Sequence, residues 1–323
     1  MRTHRRTIAT AIGIAGLLAW GQTSFAQAPA EAPIRIIVPT TPGSTPDLLA
    51  RLMSPKLAER LGRAVIVENR TGASGNIGTD AVVRAAPNGS TLLVAASTLA
   101  TGATLQKAIP FNASKDLAPV SLLGWNRLVL VTHPGTGLHS ADDLVQAARK
   151  APGKLSYGSP GDGTPNHLAA ELFKARTQTF MMHIPYRGSA QQLTDLLAGQ
   201  IDMAPLTAIV AAPYVRSGRL VALAVTGSKR SPLLPGVPAL SEVGIKDVDG
   251  NIWYGMFAPR GTPDDVVARL NGAVQAILRE MEPALAQQGF EVEVSTPAEL
   301  GRLLDKDTAR WAELIKLQGI KAD

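Results

Sequence analysis

Two α/β lobes with a ligand cleft between them are the architecture this sequence predicts, and three observations carry the prediction. Strand-like apolar runs alternate with helix-period segments from Ile34 to Ile315, the order that builds mainly parallel sheets covered by helices. A strand–loop–helix unit near the start returns more than a hundred residues later. Irregular stretches at 124–127 and 228–235 offer two places for the chain to cross between lobes. Lobe 1 is then discontinuous, 27–125 with 235–323, and lobe 2 is 126–234.

The opening unit is Ile34-Arg-Ile-Ile-Val38, a short β-branched run that suits a buried strand, followed by Pro39 to Asp47 and an apolar helical face at Leu49, Leu52 and Met53. Thr45 reads as an N-cap, with Pro46 at N1 and Asp47 in the first turn. A helix start of this kind leaves backbone N–H groups facing a crevice, and the helix dipole adds to their preference for an anion.

The return is Leu155 to Ser159, then Pro160-Gly-Asp-Gly-Thr-Pro-Asn166 and the helical run from His167. Thr164, Pro165 and Asn166 stand where Thr45, Pro46 and Asp47 stood. Either the two loops offer donors to one ligand between them, or Thr-Pro-Asp/Asn is simply a good helix start used twice.

The remaining elements follow in order. Ala64–Glu68 reads as a strand, Thr71–Gly75 as a glycine-rich loop, Asn76–Ala86 as a helix and Thr91–Ala96 as a buried strand. Leu117–Leu123 and Leu128–Thr132 are separate apolar runs with Trp125 and Asn126 between them. Ser140 with Asp143, and Ser189 with Gln192, have capping-box spacing. The helix from Ser189 should stop at Gly199, a natural C′ residue. Ile201–Leu206 and Leu220–Val225 are further strands. After the Pro-rich 231–238 come the strand Trp253–Ala258, a long helix from Pro263, a short strand Phe290–Val294 and a closing helix from Pro297.

Composition narrows the function. Residues 1–26 read as a cleaved secretion signal: Arg2, Arg5 and Arg6, an apolar Ile8–Trp20, and small residues at Ser24 and Ala26, with cleavage expected after Ala26. Its removal lowers the formal net charge from +6 to +3. There is no cysteine, hence no disulfide or thiolate chemistry. His133, His139, His167 and His183 have no tight ligand spacing, so no metal and no cofactor is expected. No basic cluster with interleaved aromatics speaks for nucleic acid. A hydrolase is disfavoured because no Gly-x-Ser-x-Gly elbow occurs, Gly72-Ala-Ser-Gly75 being one residue short.

Taken together, these stretches resemble the periplasmic solute-binding receptors of tripartite tricarboxylate transporters, the Bug family. The carriers are Ile36-Ile-Val-Pro39 with Pro42-Gly43, Asp47 and Ala50-Arg51; Val67-Glu-Asn-Arg-Thr-Gly-Ala-Ser-Gly-Asn-Ile-Gly78; Pro87-Asn-Gly-Ser-Thr-Leu-Leu93; Gly161-Asp-Gly-Thr164; Pro185-Tyr-Arg-Gly188; Leu196-Leu-Ala-Gly-Gln-Ile-Asp202; and Trp253-Tyr-Gly255 with Ala258-Pro-Arg-Gly-Thr-Pro263. The resemblance spans essentially all of the chain after the signal. It implies a type II periplasmic-binding-protein fold with mixed-sheet lobes, no enzymatic activity, a small carboxylate ligand, a monomeric receptor, and delivery to integral-membrane transporter subunits. A receptor that presents its ligand to a membrane sensor would have the same sequence features.

The resemblance also places the ligand. One carboxylate is gripped by Pro42, Gly43, Ser44, Thr45 and Asp47 from the first loop, and by Ser159, Gly161, Asp162, Gly163, Thr164 and His167 from the second. Asn76, Ser97, Thr98, Tyr186 and Arg187 shape the rest of the cleft. Two departures from the family pattern bear on the ligand's identity: Ser44 stands where a second glycine is common, and 98–104 lacks a histidine often found there. For several of these residues a local role competes with ligand contact. Asp47 can bond N–H groups of its own helix turn, Asp162 its own loop, His167 can brace the loop, Asn76 can cap its helix, and Arg187 can be an exposed arginine.

Overall fold

The computed structural model describes residues 32–105, 109–186 and 188–320. The expected signal segment and Arg187 lie outside the described residues. Among those described, no helix is long and apolar enough to cross a membrane.

The chain first builds β1 (Ile34–Val38), α1 (Thr45–Leu61), β2 (Val65–Asn69), α2 (Asn76–Val83), β3 (Thr91–Ala96), α3 (Thr98–Leu105), α4 (Ala113–Asp116) and β4 (Leu117–Asn126). A second set follows: β5 (Leu128–Thr132), α5 (Ala141–Lys150), β6 (Ser156–Ser159), α6 (Pro165–Thr177), β7 (Met182–Pro185), α7 (Ser189–Leu197), β8 (Met203–Thr207), α8 (Ala208–Arg216) and β9 (Val221–Val225). The last elements are β10 (Ile252–Pro259), α9 (Asp264–Gln287), β11 (Glu291–Val292) and α10 (Pro297–Gln318).

Two mixed sheets result. One has the order β11-β4-β10-β3-β1-β2, the other β7-β6-β8-β5-β9. β1 pairs in parallel with β2 and β3, whereas β10 runs antiparallel to both β3 and β4. In the second sheet β6 is parallel to β7 and β8, and β5 is antiparallel to β8 and β9. The alternating pattern alone led to mainly parallel sheets; β5 and β10 break it because each enters its sheet from the other one, without a covering helix just before it. Only Arg127 separates β4 in one sheet from β5 in the other, and residues 226–251 carry the chain back.

The predicted buried faces pack as cores. Ile36, Ile37 and Val38 of β1 are fully buried, and Leu49, Met53 and Leu57 of α1 lie in one cluster with Val274, Ile277 and Leu278 of α9. In α10, Leu300, Leu304, Trp311, Leu314 and Ile315 are buried, while Leu303 is partly so. Thr296 and Glu299 close that helix with a capping box.

Several boundaries differ from expectation, each for a local reason. β4 runs unbroken through Trp125 and Asn126, because β10 pairs with it along that whole length. The short strand at 290–294 shrinks to Glu291 and Val292, the two residues that meet β4. The helix from Asn76 stops at Val83, with Arg84 as C-cap. Gln192 makes no capping box; α7 starts after Gly188, and the Gln192 amide is buried and donates instead to the Gly158 carbonyl at 2.9 Å. Gly199 does close that helix with φ +71.

Candidate functional site

The first loop ends one residue earlier than the sequence suggested. Ser44, not Thr45, is the N-cap of α1, and Pro46 is the second helical residue. The loop is braced by its own side chains: the Thr40 and Ser44 hydroxyls are 2.6 Å apart, and Gly43 turns the chain with φ +81. Asp47, 2% exposed, organises the rest. It accepts the Gly43 N–H at 2.8 Å, Arg51 Nε at 2.9 Å and Asn69 Nδ2 at 2.9 Å. Burial alone would raise this carboxyl, but the bonds from Arg51, Gly43 and Asn69 outweigh it and hold it below the usual carboxylate range. Asp47 is thus an engaged anion whose charge is spent on the loop. Thr45 points to the crossing instead: Asn126 Nδ2 lies 3.4 Å from its hydroxyl and 3.1 Å from the Tyr254 hydroxyl.

The second loop joins β6 to α6. Thr164 is the N-cap, as its spacing indicated; its hydroxyl accepts the His167 N–H at 3.3 Å and donates to the Gly161 carbonyl at 2.8 Å. Ser159 Oγ reaches Gly161, and the Tyr186 N–H donates to the Ser159 carbonyl at 2.9 Å. Gly163 turns the chain with φ +69, a conformation that favours glycine, and a Cβ there would come within 2.3 Å of Leu105 Cδ1 at the end of α3, so that the leucine side chain would have to shift. Leu105 therefore lies directly against the second loop. Asn166, the counterpart of Asp47, turns away to the Pro205 carbonyl at 2.8 Å. The two loops share a sequence frame yet are braced differently.

Behind the second loop is a polar cluster that sequence spacing did not reveal. The His167 and His183 rings stack with centroids 3.9 Å apart, and Tyr157 stacks on His183 at 4.8 Å. Asp162 Oδ1 is 3.6 Å from His167 Nδ1 and 3.4 Å from His183 Nδ1. The Tyr157 hydroxyl bonds Glu171, whose carboxylate also takes Lys174 Nζ at 2.6 Å. The available signal was register: Tyr157 and His183 are direct partners in the parallel β6–β7 pair, so their side chains share a face.

Ser159, His183 and Asp162 stand in the order of a hydrolytic triad, with Ser159 Oγ 2.7 Å from His183 Nε2. Reading the sequence turned up no such trio. The resemblance ends at the nucleophile, because Ser159 is wholly buried and its hydroxyl is engaged with Gly161.

His167 Nδ1 accepts the Gly163 N–H at 3.0 Å, which leaves the ring proton on Nε2. Burial chiefly, with His183 and Lys174 adding, pushes this imidazole down to about 3; burial also lowers His183 against the pull of Asp162 and Glu171. The folded state therefore binds fewer protons than the unfolded one between pH 6.5 and about 3, and stability falls with acidification through that window. The slope from His167 reaches about 1.4 kcal/mol per pH unit. Urea unfolding with chelator present should show a loss of about 2 kcal/mol from pH 7 to 5. His167→Gln should flatten the dependence, and an equally steep variant would contradict this origin.

Other expected site residues are spread around these loops. Ser97, at the end of β3, is buried and its N–H donates to the Trp253 carbonyl at 2.9 Å, while Thr98 begins α3 in an exposed position. Asn76 does not cap its helix, since Gly75 is the N-cap; its Oδ1 faces Gly102 of α3. The Tyr186 ring, like Leu193 and Leu197 of α7, packs against the core of the second sheet, and burial followed by its bond to Asp195 pushes the phenol up to about 12. Its backbone, more than its ring, supports the second loop. Arg51 and Asn69 were not among the expected site residues; Arg51 is one helical turn beyond Asp47, a pairing distance that could have signalled it.

The profile of the tripartite tricarboxylate transporter family receptor matches residues 49–320. The chain belongs to that family. It is a family of periplasmic solute-binding receptors, and the resemblance read from the sequence is borne out. This receptor is 37% identical over 295 residues to protein BugT of Bordetella pertussis, with 90% of each chain covered. Its fold matches a solved R. palustris protein with adipate at a TM-score of 0.76 and 31% identity, covering 90% of this chain and 98% of the other. It matches MatC from Rhodopseudomonas palustris with bound malate at 0.71 and 27% identity, covering 88% and 98%. The periplasmic-binding-protein fold with two mixed sheets is thereby established for this receptor.

Proposed function

We propose that this receptor captures a small organic carboxylate between the loop preceding α1 and the loop preceding α6, and delivers it in the periplasm to the integral-membrane subunits of a tripartite tricarboxylate-type transporter. One observation carries the reading. Both loops end in helix N-termini that their own acidic and hydroxyl groups fill only in part: Asp47 takes the Gly43 N–H and Thr164 the His167 N–H, while the first-turn N–H groups of Thr45, Asp47 and Asn166 have no acceptor among the described residues and are open to an outside anion. The adipate and malate of the two related structures are both carboxylates.

In this reading Pro42, Gly43, Ser44 and, through its backbone N–H, Thr45 face the ligand from one lobe (27–125 and 235–323), and Ser159, Gly161, Gly163 and Thr164 from the other (126–234). Asp47, Asp162 and His167 hold those loops in shape. Asn76, Ser97, Thr98 and Tyr186 border the cleft. The receptor acts as a monomer after cleavage behind Ala26. Leu105 against Gly163 adds an apolar contact to the second loop's surroundings, which favours a ligand whose far end is neutral or apolar.

A thermal-shift screen of the purified protein against mono-, di- and tricarboxylates and their amides tests the ligand class. A ligand at about a hundred times its dissociation constant adds roughly 2.7 kcal/mol. The expected result is a rise of several degrees with an acid and none with its amide. No rise with any acid, after unfolding and refolding to strip retained ligand, would remove the carboxylate assignment.

A further inference from the structure

We propose that Asn126, with Thr207 beside it, reads a hydroxyl group on the ligand, so that the acid selected by this receptor is an α-hydroxycarboxylate. The inference rests on the carboxylate reading above and extends it to the chemistry next to the gripped carboxylate.

Strand direction brings the two residues to one place. β10 runs antiparallel to both β3 and β4, so β4 points the same way as β3 and its parallel neighbour β1. Asn126, the last residue of β4, therefore stands at the sheet edge from which the first loop leaves β1. In the second sheet β8 is parallel to β6, so its last residue, Thr207, stands at the edge from which the second loop leaves. Leu128 is the register partner of Thr207, and only Arg127 separates Leu128 from Asn126. The Ala208 N–H donates to the Arg127 carbonyl at 2.8 Å, which fixes the start of α8 on the crossing. Ligands of open α/β sheets bind beyond the carboxyl ends of the strands. Asn126 and Thr207 are where the carboxyl ends of the two sheets meet.

The Asn126 amide is held at one atom and open at the other. Its Nδ2 donates to the Tyr254 hydroxyl at 3.1 Å and lies 3.4 Å from Thr45 Oγ1, and those two hydroxyls are bonded to each other. Asn126 is 6% exposed, yet its Oδ1 has no donor among the described residues. Nor is Oδ1 one of the sealed side-chain atoms, so it reaches open space. A mostly buried amide oxygen without a donor is an exception in folded proteins. As an acceptor only, it suits an O–H on the ligand and opposes a second carbonyl oxygen. Thr207 adds a hydroxyl on the other side of the crossing: it is the N-cap of α8 but makes no capping bond. Because the amide sits against Thr45, whose backbone N–H belongs to the proposed carboxylate grip, the hydroxyl it reads is on the carbon beside the carboxylate.

Calorimetry on the purified protein, stripped of retained acid by unfolding and refolding, would compare two series: lactate, propionate and pyruvate, then α-hydroxyadipate, adipate and α-ketoadipate. The expected result is a hydroxy acid bound about tenfold tighter than its deoxy and keto partners. Asn126→Leu should bring hydroxy and deoxy acids to within about twofold of each other, and Thr207→Val should lower the ratio less. A merely structural role would weaken all the acids alike and leave the ratio unchanged. Should Asn126→Leu fail to fold, Asn126→Ser and Thr207→Val decide. Equal affinity for hydroxy and deoxy acids, a preference for the keto acid, or an unchanged ratio in the folded variants would overturn the proposal and leave the carboxylate reading standing. So would failure of both hydroxy acids to bind a receptor that binds other acids. Binding of no acid at all would remove the carboxylate reading and this inference with it.

Discussion

Asp47→Ala is expected to cost about 2–3 kcal/mol of stability and to weaken ligand binding more than tenfold. The carboxylate is the common acceptor for the Gly43 N–H, the Arg51 guanidinium and the Asn69 amide. Its removal leaves three donors at a largely buried position and frees the turn at Gly43, the part of the first loop proposed to approach the ligand. Hydrogen bonds to charged groups are worth more than neutral ones, and the unpaired donors add their own penalty. Arg51 is half exposed and can turn to water, which keeps the cost below that of a fully buried pair. Asp47→Asn separates shape from charge: it keeps one acceptor oxygen but presents an NH₂ group to the remaining donors, so most of the loss should persist. Chemical denaturation gives the stability and calorimetry with the acid found in the screen gives the affinity. An alanine variant equal to wild type in both would show that Asp47 does not organise the loop.

Gly124→Ala should be about as costly, at roughly 2–4 kcal/mol. Gly124 has φ +147 inside β4, and a Cβ there would lie 2.2 Å from the Glu291 carbonyl oxygen and 2.6 Å from the Phe290 ring. Backbone cannot yield as a flexible side chain can. The added methyl must push β11 off β4, and with it the Glu291 carboxylate that holds Arg127 at 2.8 Å. Arg127 is the residue between β4 and β5, so the strain falls where the chain crosses between the sheets. Thermal unfolding of the variant measures it. An unchanged midpoint would mean that β11 is not packed on Gly124.

The β1–loop–α1 unit and its return at β6–loop–α6 were legible because strand, turn and helix-start signals all agree there, and the order of elements was legible for the same reason. What failed to show was whatever depends on partners distant in sequence. The N-cap of α1 is Ser44 and not Thr45 in a loop closed by Asp47, which Asn69 of β2 holds from 22 positions away. Gln192 had capping-box spacing but is drawn to the Gly158 carbonyl across β6, where a buried acceptor competes with the helix end. β4 extended past its apolar run because β10 supplies hydrogen-bond partners for Trp125 and Asn126. His183 looked isolated because its neighbours, Asp162, His167 and Tyr157, are fixed by the β6–β7 register and not by spacing along the chain. Asn69 belongs to the same class, since it is informative only once β2 is known to lie beside α1 and the first loop, whereas Arg51, one turn beyond Asp47, was within reach of spacing alone.

The most direct test of the central claim is a crystal structure of the protein with the acid that gives the largest thermal shift. The account predicts one carboxylate group within hydrogen-bonding distance, direct or through a single water, of N–H donors from both the Pro42–Thr45 and the Gly161–Thr164 loops. A carboxylate bound away from either loop, or held by side-chain cations elsewhere in the molecule, would contradict it.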